Sequence, residues 1–199
     1  MSVEQEFLEK WVEFHPCLSE ECYQLQQMIE NEATSADDTL DLATAFLIMR
    51  DIQANTSLQD ISDPVVLTLL FLDSLNEPYS RYLSSGYLTQ NWEILNLQEA
   101  SMVIVKLLNQ GAMGEPSVFD NIEQALKFTQ RLFQCFGEPC YFLTNVKWHR
   151  NLPMESEPPY PVISKATGFS VFKVGCCWDE GVVLISSTRV GALWFLGYD

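Results

Sequence analysis

The chain has 199 residues, 47% hydrophobic and 12% aromatic, enough apolar surface to offset the ordering entropy of folding and to exclude a disordered chain. Its formal net charge is −16, a field that repels phosphate backbones and anionic lipid and so argues against direct nucleic-acid or membrane binding. The charge is uneven: residues 1–99 hold 18 acidic against 3 basic residues and residues 100–199 hold 9 against 8, so −15 of the total lies in the first half.

The opening "MSVEQEFLEKWVEF" places acids where a secretory signal carries positive charge followed by an unbroken apolar stretch. The longest apolar run, Pro64 to Leu75, is interrupted by Thr68 and Asp73 and falls short of the roughly 20 residues that cross a bilayer. Both features predict a cytoplasmic protein, or a nuclear one if eukaryotic, whose cysteines are reduced.

Helix signals dominate the first two-thirds. Ser2 and Gln5 have the form of a capping box, and Val3, Phe7, Trp11 and Phe14 recur at helical spacing up to Pro16. Ser19 caps a second helix, opened by Glu20 and Glu21 and reaching about Asn31. A third is predicted from the acidic start at Ser35, Asp37 and Asp38 to Gln53, and a fourth from Asp63 and Pro64 to "NEP". A short helical turn over Tyr79–Ser84 closes at Gly86. Asn96 and Glu99 introduce a fifth helix that ends at Gly111, and Ser117 introduces a sixth that ends at Gly137. The stretches Val65–Leu72 and Met102–Leu108 lack a polar face, which predicts that they form the centre of a bundle.

After Gly137 the pattern turns to period two and β-forming residues. "CYFLTNVKWH", "YPVIS", "FSVFKVGC", "GVVLISS" and "ALWFLGY" read as short strands, with "CWDEG" as a hairpin turn. The predicted class is α+β: an N-terminal bundle of about six helices packed on a C-terminal antiparallel meander of about five strands. In these terms residues 1–137 are an acidic α-helical region and residues 138–199 an antiparallel β region, packed together as one domain.

Two cysteine pairs share a spacing: Cys17 and Cys22 in "HPCLSEEC", Cys135 and Cys140 in "CFGEPC". Each pair straddles a helix boundary and leaves four residues between its members, the open end of the spacing found in tetrahedral zinc sites. Cys17, Cys22, Cys135 and Cys140 are therefore the candidate metal set, with zinc as the alternative to no cofactor. Cys176 and Cys177 are adjacent in a predicted strand and point to opposite faces, so only one of them can join a given site. Set against the metal is the tendency of free cysteine to act as a small buried hydrophobe, and Cys22 falls in register with apolar Leu25 and Ile29. His15 sits at a helix end, where a cation suits the dipole. The Cys140–His149 combination lacks any nucleophile motif around it, and no phosphate loop or Gly-x-Ser-x-Gly occurs.

No catalytic residue is assigned. The composition favours a non-enzymatic interaction module of inhibitor, immunity or chaperone type, with an acidic helical surface that meets a basic protein partner. Glu20, Glu21, Asp37, Asp38 and Asp41 are the candidate partner-binding residues. The alternatives are a metal- or thiol-dependent protein built on the Cys/His set, and an enzyme without a recognisable motif.

Overall fold

Residues that alternate in an extended chain and are apolar on both sides need cover on both faces, and this requirement organises the molecule. The computed structural model describes residues 12–32, 45–54, 67–68, 71, 85–111, 117–150, 163–169, 171 and 178–197. Its central hairpin joins β7 (Trp178–Ser186) to β8 (Arg189–Gly197). The Ser186 hydroxyl accepts the backbone N–H groups of Thr188 (3.4 Å) and Arg189 (3.2 Å), closing the turn. On one side β8 pairs with β2 (Ala45–Ala54), which pairs with β1 (Val12–Pro16); on the other β7 pairs with β4 (Cys140–Thr144), which pairs with β3 (Glu93–Leu95). The result is a six-stranded antiparallel sheet of order β1-β2-β8-β7-β4-β3. A second, two-stranded sheet is made by β5 (Val146–Arg150) and β6 (Ile163–Gly168).

Among the described residues four helices accompany these sheets: α1 (Glu20–Glu32), α2 (Ser85–Asn91), α3 (Leu97–Gln110) and α4 (Ile122–Gln134). The helix α3 starts at a reciprocal cap. Asn96 Oδ1 accepts the Glu99 N–H and the Glu99 carboxylate accepts the Asn96 N–H, both at 2.9 Å. It stops at Gly111, whose φ of 67° turns the chain while its N–H bonds the Leu107 carbonyl at 2.9 Å.

The sheet divides two cores. Ala45, Leu47 and Met49 of β2, Leu95, Phe142, Val182 and Leu184, and Leu193 and Phe195 of β8 face a layer made by α1, α3 and α4. The alternate residues face the other way: Phe46 and Ile52 of β2, Leu143, Val183, Ile185, and Ala192 and Trp194 of β8. There they meet Leu67, Phe71 and Val171, with the Phe71 ring stacked on Trp194 at 5.9 Å and Trp92 edge-on to Trp194 at 6.4 Å.

This architecture corrects the prediction of about six helices beside about five strands. The fold mixes helices with an antiparallel sheet, but β1, β2 and β3 all lie before residue 137, so that region is not wholly helical. The stretch read as the end of the first helix is β1, an edge strand that tolerates Pro16 at its end because its outer side donates nothing to the sheet. The stretch read as the second half of a helix ending at Gln53 is β2. It is apolar on both faces because it is covered on both, and such a run cannot be told from a buried helix by periodicity. The single strand read over "CYFLTNVKWH" is two, divided at Asn145 and belonging to different sheets. "CWDEG" is no hairpin turn, since Trp178 to Gly181 lie inside β7. The short helical turn expected over Tyr79–Ser84 lies outside the described residues; the described helix α2 starts at Ser85. The cap of α4 is Asn121 in place of Ser117; its side chain accepts the Glu123 N–H at 2.7 Å. The apolar helix α3 is one layer against the sheet, with Val103, Ile104, Leu107 and Leu108 buried, and not the centre of a bundle. Leu67 and Phe71, from the other stretch expected at that centre, are buried on the opposite face.

Candidate functional site

Helix α1 forms because Cys22, Leu25 and Ile29 recur at the spacing that gives one buried face, while acids occupy its first turn. That face packs on β2 and α4. Glu20 and Glu21 both stand in the first turn, as expected, but in unlike surroundings. Glu21 receives the Arg131 guanidinium from α4 at 2.5 Å, and this hydrogen bond holds its carboxyl below the usual carboxylate value. Glu20 faces outward, accepts only the Gln24 amide at 3.0 Å, and has no cationic partner among the described residues. Glu32, at the other end of the helix, is likewise exposed and without a described cationic partner. Asp37, Asp38 and Asp41 lie outside the described residues.

Three of the four candidate metal cysteines converge. Cys17 follows β1, Cys22 is in the first turns of α1, and Cys135 caps α4; the Cys22 thiol interacts with both of the others. Burial, with the hydrogen bond to Cys22 next, pushes the Cys17 thiol up to about 12, and burial likewise raises Cys22 and Cys135. The nearby Arg189 pulls the other way but is outweighed; it is itself engaged by Asp51 at 2.7 Å and by the Cys135 carbonyl. Cys140 opens β4 opposite Ser186, with no other described thiol acting on it, and burial pushes it up to about 12. Burial thus favours the neutral thiol over the thiolate at all four positions, which disfavours a ready nucleophile. Among the described residues no three His, Cys, Asp or Glu side chains are placed to hold a metal ion. Cys176 and Cys177 lie outside the described residues. His15 is exposed, 3.6 Å from Glu13, and His149 belongs to β5, in a different sheet from Cys140.

The most connected polar group was not anticipated. Asp179, taken from the sequence for a turn residue, is 3% exposed inside β7, beside Glu180 at 2%. Its carboxylate accepts the Val171 N–H at 2.9 and 3.0 Å, the Trp194 indole N–H at 2.9 Å and an Asn145 amide hydrogen at 3.3 Å. The Asn145 amide also donates to the carbonyls of Phe169 (2.6 Å) and Asp179 (2.8 Å), and its oxygen accepts the Gly181 N–H at 3.0 Å. This network ties the β4–β5 junction, β7, β8 and the residues Phe169 and Val171 together. Among the described residues these groups bond one another, and the network fixes the backbone of the strands it joins. The available signal was Trp194, because a buried indole N–H needs an acceptor.

Concave surface occurs elsewhere. A cleft of about 780 Å³ opens between the start of α3 and the end of α4, over β3 and β4. A smaller one, about 350 Å³, lies between α1 and α4 and includes Lys127 and Arg131. No helix among the described residues is long and apolar enough to cross a membrane. Compared with known protein families, curated proteins and solved structures, the chain gives no match.

Proposed function

We propose that this chain is a non-enzymatic interaction module, of inhibitor, immunity or chaperone type, whose acidic helical surface binds a basic protein partner. The observation that carries this reading is the division of labour on α1. Its apolar face is spent on the core, one acid is neutralised by Arg131, and Glu20 and Glu32 remain exposed without described cations in the half of the chain that holds −15 of the charge. Oriented exposed charge of this kind steers encounter and rejects wrong partners more than it adds affinity. Burial favours the neutral thiols of Cys17 and Cys140, and the Asp179 carboxylate holds the Val171 N–H inside the fold, which supports a structural use of these groups.

The reading is tested by native mass spectrometry of the protein purified at low salt from its source cells. A second, basic polypeptide that dissociates as salt rises is the expected result. A complex that is insensitive to salt would overturn the electrostatic reading, and a bound metal ion in place of a polypeptide would favour the thiol corner.

A further inference from the structure

The larger cleft has features that an incidental surface hollow lacks. Its volume, about 780 Å³, falls in the range of roughly 300–1,000 Å³ typical of binding pockets. Its floor is the end of β3 and the middle of β4, Leu95 and Phe142, both rooted in the core. Phe133 stands over Phe142 with ring centroids 5.2 Å apart, and Pro139 and Leu97 form the rim. Leu97, the first residue of α3, is 54% exposed although it has an apolar side chain. Cys140 adds to the lining as a neutral thiol, apolar in effect.

The polar groups around this cleft are few and of one sign. Asn96 has its side-chain oxygen committed to the cap of α3. Glu138 is exposed at the turn after α4, and among the described lining residues it is the one charged group; none is cationic. An entering apolar side chain thus meets a hydrophobic floor, and a charge carried beside it is favoured only if positive.

On that charge complementarity, and resting on the reading of a basic partner, we infer that the cleft between α3 and α4 seats an apolar side chain, aromatic or leucine-like, which the partner carries next to lysine or arginine. The acidic surface brings the partner in, and the cleft supplies the desolvated anchor that charge alone does not give.

Two short peptides serve as probes: phenylalanine flanked on each side by two lysines, and the same peptide with serine in place of phenylalanine. Binding of each to the full chain is followed by NMR at low salt. The expected result is about tenfold tighter binding of the phenylalanine peptide, the order of gain from burying one aromatic anchor, with shifts centred on the cleft. Leu97→Ser abolishes that preference, whereas Ile94→Ser leaves it intact. Ile94 is equally exposed at 53% but, one residue before Leu95 on β3, points to the other face. Equal binding of the two peptides, or a preference untouched by Leu97→Ser, overturns the cleft while the acidic-surface reading stands. Failure of both peptides to bind at low salt overturns the acidic-surface reading and the cleft with it.

Discussion

Two sets of carboxylates in this protein show how position decides what a charge does. Asp179 is sealed inside β7, where the Val171 backbone N–H, the Trp194 indole N–H and the Asn145 side-chain amide donate to it. Glu20 and Glu32 stand at the two ends of α1 in open solvent with no described cation. The side-chain chemistry is nearly the same. A buried carboxylate is tolerable only when its lone pairs are fully used, and then removing it strands every donor aimed at it. An exposed carboxylate keeps its hydration, contributes little to stability and remains free to act at a distance. The buried set holds the sheet together, and the exposed set stays hydrated at the surface of α1.

The sharpest way to break this contrast is Asp179→Ala. It leaves the Val171 N–H and the Trp194 indole N–H buried without acceptors, and at about 1–3 kcal/mol for each stranded group the loss should reach about 3 kcal/mol or more. Urea unfolding would register this as a lower midpoint; an unchanged midpoint would mean that the network is incidental. Next comes Gly181→Ala. A Cβ there runs into the Trp194 ring and lies 2.6 Å from the Leu193 carbonyl, an overpacking that should cost about 1–3 kcal/mol in the same assay.

Smaller effects come from the titrating groups. The Cys140 thiol is raised by burial from 9.0 to about 12, so its contribution to stability is full below pH 9 and is lost as pH rises toward 12. Cys140→Ala should therefore show a shallower alkaline fall in unfolding midpoint than the parent chain. Glu21 is shifted the opposite way by its hydrogen bond to Arg131. Its contribution is full above the ordinary carboxylate value of 4.5 and is lost as pH falls through the lowered one. Glu21→Gln should flatten the acid limb slightly, the smallest change of the four, because solvent reaches and screens this half-buried pair.

Local signals made some of this molecule readable. The α3 cap is written in Asn96 and Glu99, its stop in Gly111, and the acids of the first turn of α1 in Glu20 and Glu21. The strand character of β7 and β8 was visible in their β-branched and aromatic runs. Non-local features were hidden. Strand β2 is apolar on both faces because two layers cover it, and the acids Asp37, Asp38 and Asp41 before it suit a helix start just as well. Asp179 sits among residues that favour turns, and only the fold brings Asn145, Val171 and Trp194 to it. The Arg131 that neutralises Glu21 lies 110 residues away. The meeting of Cys17 and Cys22 with Cys135 was hinted at by matched spacing, but the burial that raises their thiols is a property of the fold, which spacing does not reveal.

Charge reversal on α1 would show whether its exposed acids meet the proposed partner. The partner recovered at low salt would be titrated into the parent chain and into the Glu20→Lys, Glu32→Lys double variant, with the unfolding midpoint of each chain measured alongside. The expected result is an unchanged midpoint, together with affinity at least about tenfold weaker and a reduced dependence on salt. Equal affinity in the two chains would contradict it and move the partner's contact away from α1.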